Sequence, residues 1–357
     1  MEDLYFNQRA DFTRWVTKEG LLHEPLVVVD VGVQGDANAR WDRLGDHLVL
    51  HGFDAIAEVI DELKQRNLCR ANRHFHNVAI GARDEQRDFF FNSANPFSSS
   101  MFRQGDSRFD VSLSEQVRSV PVRHLDGLLA EGAIPRCDFL KVDVEGFEKE
   151  VFLGARELMA AGVLGIETET NFGISTTYPK GHFSAISEIV LESHLLMFDL
   201  GFNRVPRASF QRAVLRKGLP LDDELGLVGR PATFNVLFCR DLIEEADHSE
   251  MYPTPCRPVS VDQMIKMMII YELHGLNDVA VDTAERFAQL IGSRLDVDRA
   301  VALLADPDCR GEVVEKVFQR RVRELETSTS WRITAPLRAL KLAGQRLVQR
   351  KPPDDGG

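Results

Sequence analysis

The sequence has few cysteines, and none of them forms a closely spaced pair. The five cysteines lie far apart and no C-x-x-C motif occurs; they are Cys69, Cys137, Cys239, Cys256 and Cys309. Disulfide frameworks and zinc knuckles both depend on such spacings, so the pattern argues against both classes. The histidines show no H-E-x-x-H or other metal-ligand spacing either. A reduced, cytoplasmic setting is the expectation.

Long hydrophobic runs and clustered positive charge are also missing from most of the chain. No stretch reaches the roughly 18 apolar residues of a membrane-spanning helix, and charged residues interrupt the first 20 positions. The formal net charge is -12. Nucleic-acid binding usually depends on a basic face, so nucleic acid is not an expected partner.

Strand and helix signals alternate over the first two thirds of the chain. Short apolar runs begin at Leu26, and several of them end in an acid. About seven strands separated by helices predict an α/β fold with a doubly wound, Rossmann-like sheet. The pattern also predicts an edge strand at 120–125, because Pro121 cannot donate to a central ladder, and a helix at 186–201.

Changes in this pattern divide the chain into four predicted regions. Residues 1–20 are predicted as an N-terminal helical segment and residues 21–245 as the α/β domain. Beyond a proline-rich linker at 251–258, only helical signals occur, at 260–274, 278–292, 296–305 and 310–326, so residues 246–326 are predicted as a helical annex. Residues 327–357 form a basic tail with amphipathic spacing. This tail is either a solvated extension or a peripheral contact with a membrane or a partner protein.

The first chemical motif is the DVGVQG turn at 30–35, which follows an apolar strand. Gly32 and Gly35 let the backbone approach a ligand closely. Asp54 ends the next strand about 20 residues later, where a carboxylate can accept both hydroxyls of a ribose. The sequence therefore predicts a cofactor site that includes Asp30, Gly32, Gly35 and Asp54. An ordinary turn, with Asp54 as a helix cap, is the alternative.

The second motif is KVDVEG at 141–146, where an apolar strand ends in Asp143 and Glu145. The next strand ends at Glu167, and the carboxyl ends of parallel strands meet at the edge where α/β sheets hold ligands. Lys141 lies on the same side of its strand as Asp143, which predicts an ion pair. The catalytic candidates are therefore Asp143, Glu145, Glu167 and Lys141. A solvated loop that caps a helix is the alternative.

Together with the Asp54 strand end, DVGVQG and DFLKVDVEGFEKEVFLGA at 138–155 resemble the FkbM-type family of class I S-adenosylmethionine-dependent methyltransferases. The resemblance runs from about Pro25 to Arg240 and includes NVAIG at 77–81 and SSSMF at 98–102. It implies a methyltransferase sheet with an antiparallel seventh strand. It also implies transfer of a methyl group from S-adenosylmethionine, generally to a hydroxyl oxygen.

The same resemblance implies roles for the candidate residues. Asp30, Gly32 and Gly35 match the family's cofactor loop, and Asp54 matches the acid that binds the adenosyl ribose. Asp143 and Glu145 match the acidic signature beside the methyl-transfer site, and Lys141 belongs to that signature. No metal is part of this prediction; a divalent cation held by Asp143 and Glu167 is an alternative.

The tail points to the acceptor, because STSWRITAPLR at 328–338 resembles the ends of bacterial glycan-assembly proteins. The expected substrate is therefore a sugar, a glycan or a related secondary metabolite. Two other functions stay open. An NAD-dependent oxidoreductase suits the fold, although the G-x-G-x-x-G fingerprint is missing. A non-catalytic module could instead recruit glycan-assembly partners.

Overall fold

The computed structural model describes residues 9–306, except for 36–38, 68–69, 94, 103–114, 173–181, 206–228 and 252–256. The described part contains a larger and a smaller β-sheet. The larger sheet has seven strands: β1 (Leu26–Val31), β2 (Leu48–Asp54), β3 (Arg73–Asn77), β7 (Phe139–Val142), β8 (Gly165–Thr170), β9 (Leu196–Val205) and β10 (Arg230–Cys239). The smaller sheet consists of β4 (Ala79–Ile80), β5 (Glu85–Asn92) and β6 (Glu115–Arg123).

The strand order of the larger sheet is β3-β2-β1-β7-β8-β10-β9. Neighbouring strands from β3 to β8 are parallel, whereas β10 is antiparallel to both β8 and β9. Every residue of β1 is buried, as expected for a central strand covered on both faces. The predicted doubly wound sheet with one antiparallel strand is therefore confirmed. Its parallel strands place the carboxyl ends of β1, β2, β7 and β8 at one edge.

Helices pack on both faces of this sheet. Their bounds are α1 (Asp11–Lys18), α2 (Ala57–Arg66), α3 (Leu125–Ala130), α4 (Glu148–Leu153), α5 (Arg156–Ala160), α6 (Phe183–Leu191), α7 (Leu242–Asp247), α8 (Val261–Leu273), α9 (Asn277–Arg286), α10 (Ala288–Ile291) and α11 (Val297–Leu304). A kinked 3₁₀ segment, Ala39–His47, connects β1 to β2. Successive side chains of β1 point to opposite faces of the sheet, so the core has two layers. Val28 packs in the layer that contains α1 and α8 to α11, and Val29 packs in the layer that contains α3 to α6.

Residues up to Ala305 form one compact unit. The predicted annex contributes to that unit through α8, in which residues 264–273 are all buried. A helix that is buried all round belongs to the middle of a core. Glu272 of α8 also accepts hydrogen bonds from Phe12 N at 2.9 Å and Thr13 N at 2.7 Å, and so fixes the start of α1. The boundaries at 20/21 and 245/246 stay predictions.

Two secondary-structure predictions are wrong. β6 is the central strand of the smaller sheet and not an edge strand. It tolerates Pro121 because the two residues of β4 pair only with Val122 and Arg123, so Pro121 lies just beyond that ladder.

The predicted helix at 186–201 ends at Leu191 and is followed by β9. The apolar residues of this range fit a helix or a strand equally well. His194, three residues after the helix ends, has a φ of +63°, which is incompatible with a continuing α-helix.

The described helices include none that combines the length and the apolar character needed to cross a bilayer. The helix predicted at 310–326 and the basic tail at 327–357 lie outside the described residues.

Candidate functional site

The two motifs predicted from the sequence lie in contact at the carboxyl edge of the larger sheet. Asp143 N donates a hydrogen bond to Val31 O at 2.9 Å. A β-carbon on Gly32 would lie 1.8 Å from the carbonyl oxygen of Asp143, so only glycine fits there. The φ of Gly32 is +84°, which also favours glycine. The DVGVQG turn and the KVDVEG turn therefore form one site.

Three charged residues lie side by side on neighbouring strands. In the register, Asp30 of β1 pairs with Lys141 of β7, and Lys141 pairs with Glu167 of β8. We call Asp30, Lys141 and Glu167 the charged row. Lys141 Nζ lies 3.4 Å from Asp30 Oδ1 and 3.7 Å from Asp143 Oδ2. The ion pair predicted between Lys141 and Asp143 is present, and Lys141 joins Asp143 to the cofactor loop.

The protonation of this row follows from burial and charge. Burial alone lowers the pKa of Lys141, but Asp30, Asp143 and Glu167 outweigh it and raise that pKa above its ordinary value. Lys141 is therefore a cation throughout the neutral range. Burial raises the pKa of Asp30, and Lys141 opposes this effect. Asp143, which pairs with Lys141 but lies outside the charged row, is more exposed, with 40% of its side chain accessible to solvent.

Glu167 is held by residues that sequence reasoning missed. Arg40 Nη1 donates to Glu167 Oε2 at 2.8 Å, and His274 Nε2 lies 3.5 Å from the same oxygen. Burial acts to raise the pKa of Glu167, but the adjacent Arg40 guanidinium outweighs this effect, and the pKa falls to about 2. A carboxylate with so low a pKa is a weak general base at neutral pH. Among the predicted acids, Asp143 is better suited to accept a proton.

The turn that carries Glu145 has an unusual backbone. Glu145 has a φ of +54° and Gly146 a φ of +99°. Glu148 supports this turn, because its Oε1 accepts hydrogen bonds from Gly146 N at 2.9 Å and from Val144 N at 3.3 Å. Ser100 Oγ donates to Glu145 O at 2.7 Å. Burial raises the pKa of Glu148 to about 8. The strained φ is thus held in place from both sides.

Asp54 lies at the end of β2, as predicted. Its Oδ1 accepts a hydrogen bond at 2.7 Å from the backbone N–H of Ile56, the N-cap residue of α2. Burial raises the pKa of Asp54 to about 7, although hydrogen bonds to Ile56 and Gln34 oppose the change. The local hydrogen bond and a ligand contact are compatible, because each carboxylate oxygen accepts more than one hydrogen bond.

A cavity of about 250 Å³ connects these groups. Its polar wall contains Gly32, Gln34, Asp54, Lys141, Asp143 and Glu145. Its apolar wall includes Phe53 of β2, Ile80 of β4 and Phe89 of β5, together with Val78, Met101 and Phe147 from the connecting segments. Three of the predicted site residues do not line the cavity: Asp30, Gly35 and Glu167. Asp30 and Glu167 influence its charge through their electrostatic interaction with Lys141, and Gly35 lies in the adjoining turn.

Asp143, Glu145 and Glu169 bring carboxylate oxygens within 4.8 Å of one another, a geometry that can hold a metal ion. The alternative cation site predicted from the sequence used Glu167, which here pairs with Arg40. Of the histidines, His76 approaches His51 Nδ1 at 3.4 Å and His124 Nδ1 lies 2.7 Å from Asp84. Exposed acidic side chains often cluster without binding a cation. The methyl transfer considered for this site does not require a metal ion.

The strand order, with β10 antiparallel beside a parallel sheet, is that of the Rossmann-like sheet predicted from the sequence. Residues 33–197, a little under half of the chain, match the methyltransferase FkbM domain. S-adenosylmethionine is therefore the cofactor. The match favours a methyltransferase over the NAD-dependent oxidoreductase that the sequence left open. Comparison with curated proteins gave no match.

The solved structures that match this chain have low sequence identity to it. A methyltransferase FkbM from Methylobacillus flagellatus is 13% identical with a TM-score of 0.35, and the alignment covers 63% of this chain and 47% of that one. The chain thus spans about half the length of that protein. The N-methyltransferase NodS from Bradyrhizobium japonicum is 10% identical with a TM-score of 0.30, over 64% of this chain and 97% of that one.

The residues of the cavity fit the parts of S-adenosylmethionine. Asp54 offers a carboxylate to the ribose hydroxyls, and the apolar wall offers a surface to the adenine ring. The carboxylates Asp143 and Glu145 suit the positive charge of the sulfonium and ammonium groups. Sequence motifs located these acids. Arg40 and Glu148 carried no such signal, because their roles depend on tertiary contacts.

Proposed function

We propose that this protein transfers a methyl group from S-adenosylmethionine to a hydroxyl oxygen of a sugar, a glycan or a related secondary metabolite. The observation that carries the proposal is the position of Asp143. It lines the cavity, lies against the glycine turn of the cofactor loop and pairs with Lys141. A partly exposed carboxylate beside the cofactor site is suited to accept the proton that a hydroxyl loses.

When bound, the cofactor supplies an electrophilic methyl group. Asp143 takes the hydroxyl proton while the acceptor oxygen bonds to the methyl carbon and the carbon–sulfur electron pair stays on sulfur. Lys141 orients Asp143, since its Nζ lies 3.7 Å from Asp143 Oδ2. Gly32 and the Asp143 backbone fix the distance between the cofactor loop and the acid, and such orientation supplies much of the rate.

Two further features of this edge support a sugar as the acceptor. Glu169 and Asn171 lie beside Glu145 around a small pocket, so their side-chain oxygens offer acceptors at this edge to the hydroxyls of a sugar. The next residue, Phe172, exposes 49% of its surface and packs on Phe234 with 4.3 Å between ring centroids. An aromatic face beside carboxylates and amides matches a ring with one apolar face and several hydroxyls.

The acceptor can be tested with S-adenosylmethionine that carries a deuterated methyl group. The purified protein is incubated with surface-glycan extracts from cells that lack it, and products are followed by mass spectrometry. The expected result is one labelled methyl group on a hydroxyl of a sugar residue. Label on nitrogen, or label that wild type and Asp143→Asn incorporate equally, would contradict the proposed reaction. Cofactor binding without transfer to any extract would favour the non-catalytic module.

For the basic tail, we propose a peripheral contact with an anionic membrane or with glycan-assembly partners. Residues 327–352 contain lysine and arginine but no acid, against a net charge of -12 for the whole chain. Basic amphipathic segments bind anionic lipid surfaces. Co-sedimentation with vesicles rich in anionic lipid should pellet the full chain more than a chain that ends at Glu326. Equal pelleting would rule out the membrane contact.

A further inference from the structure

A residue of the predicted annex reaches the charged row beneath the candidate site. His274, at the C-terminal end of α8, is fully buried and contacts Arg40 through its Nε2. Arg40 is also buried, and it donates to Glu167 at 2.8 Å. Glu167 is the neighbour of Lys141 in the register of β7 and β8. Polar contacts therefore join α8 to Glu167, the register neighbour of the lysine that pairs with Asp143.

The contacts of His274 fix its tautomer. His274 Nδ1 lies 2.7 Å from the carbonyl oxygen of Ile270, which can only accept, so Nδ1 carries the proton. Burial and the adjacent Arg40 both lower the pKa of His274, so the ring is neutral. Its Nε2 then has a free lone pair and accepts a hydrogen bond from the Arg40 guanidinium.

Aromatic packing holds this imidazole against the sheet. Its ring stacks on Phe139 with 5.3 Å between centroids, and Trp41 lies edge-on at 6.0 Å. Phe139 is two residues before Lys141 on the same face of β7, and Trp41 follows Arg40 directly. The position of Arg40 is therefore set by residues adjacent to the charged row.

Lys141 needs such an arrangement because three carboxylates compete for one ammonium group. Asp30, Asp143 and Glu167 all raise its pKa, which shows that all three act on it. Glu167 pairs with Arg40, whereas Lys141 is the cation that the described residues place within 4 Å of Asp30 and Asp143. Without Arg40, Glu167, only 13% of whose side chain is exposed, would lose its nearest cation and would attract Lys141 away from the cofactor side.

We propose that Arg40 and His274 are positioning residues that occupy Glu167 and thereby keep the Lys141 ammonium group on Asp30 and Asp143. Helix α8 thus sets the charge that faces the cofactor, although it lies outside the matched family domain. The inference rests on the proposed site, in which the cofactor's sulfonium faces these acids. It extends that site to a part of the chain that no sequence motif connected with it.

The test compares S-adenosylmethionine, which carries a sulfonium charge, with S-adenosylhomocysteine, which does not. Each is titrated by calorimetry into Arg40→Gln, His274→Phe and His274→Gln. In Arg40→Gln, Lys141 shifts toward Glu167 and the cofactor side becomes more negative. The Kd ratio of S-adenosylhomocysteine to S-adenosylmethionine should therefore rise about fivefold or more, since charges a few ångströms apart interact by kilocalories even when screened.

His274→Phe keeps an aromatic ring against Phe139 but removes the Nε2 lone pair that accepts from Arg40. It should therefore raise the Kd ratio as Arg40→Gln does, but by a smaller factor. His274→Gln offers an amide oxygen to Arg40 and should bring the ratio back toward wild type. Glu272→Gln is the control on the same helix, because it weakens the attachment of α1 and leaves the charged row intact. It should leave the ratio unchanged.

The double variant Arg40→Gln, Glu167→Gln keeps the test available if the single variant does not fold. It removes both the cation and its competitor, so its ratio should equal that of wild type. Equal weakening of both ligands in Arg40→Gln and His274→Phe would overturn the inference, because it would indicate only structural damage. Failure of wild type to bind either ligand would instead count against the proposed function.

Discussion

Gly32 and Asp143 are in backbone contact across β1 and β7, with no room for a side chain between them. A β-carbon on Gly32 would lie 1.8 Å from the Asp143 carbonyl oxygen. Asp143 N in turn donates to Val31 O at 2.9 Å. The loop that should hold the cofactor and the acid that should receive the proton therefore keep a fixed separation. A change at one of them will be transmitted to the other.

Substitution of Gly32 by alanine should reduce both stability and cofactor binding. Gly35→Ala is a matched control, because Gly35 also has a positive φ, +78°, but nothing lies within 4 Å of its β-carbon position. Both variants lose about 1 kcal/mol from the left-handed backbone. Gly32→Ala should lose about 2 kcal/mol more through the clash. Urea unfolding measures this difference, and equal losses would show that the contact does not matter.

Cofactor affinity should depend on the ionisation of Asp54. The pKa of Asp54 is about 7 before the ligand binds, and the carboxylate accepts ribose hydroxyls better than the carboxylic acid does. Affinity for S-adenosylhomocysteine should therefore rise as the pH increases from 6 to 8. Asp54→Asn should bind about 10 to 100 times more weakly and lose this pH dependence. An unchanged profile in that variant would separate Asp54 from the ribose.

Glu148 should make the protein less stable as the pH rises. Its pKa is raised from 4.5 to about 8 in the folded state, so between these values the folded protein keeps a proton that the unfolded chain has lost. Stability attributable to this group falls through that range and is constant above it. Glu148→Gln keeps an acceptor for Gly146 N without the charge. Near pH 9 it should be more stable than wild type, by up to a few kcal/mol.

That difference is measured by urea unfolding of both proteins at pH 5 and at pH 9. Glu148→Gln should gain on wild type only at the higher pH. Parallel stability curves would mean that Glu148 is already ionised in the folded protein at neutral pH.

Asp143→Asn should separate binding from chemistry. The amide keeps the size of the side chain but cannot take a proton, so labelled-methyl transfer should fall by about two orders of magnitude or more. Affinity for S-adenosylhomocysteine should change only a few-fold, because Asp54 and the apolar wall are untouched. Glu167→Gln is a useful comparison, since a carboxylate with a pKa of about 2 is a poor proton acceptor. A larger loss in Glu167→Gln than in Asp143→Asn would reverse the two roles.

The sequence predicted the sheet and the acids at its edge because short buried strands and strand-end carboxylates have local signatures. Lys141 and Asp143 alternate on one strand, and their ion pair could be inferred from that spacing alone. The partners of Glu167 could not be inferred. Arg40 lies in a 3₁₀ segment and His274 at the end of α8, and only the packed fold brings them together. The strand at 196–205 was missed because its apolar run has no clear period.

The most direct test of the account is a crystal structure with S-adenosylhomocysteine bound. The predicted result has the ribose hydroxyls at hydrogen-bond distance, about 2.7 Å, from the carboxylate of Asp54. The sulfur should face Asp143 across the cavity bounded by Gly32 and Glu145. A ligand whose ribose contacts another acid, or whose sulfur points away from the KVDVEG turn, would contradict the site.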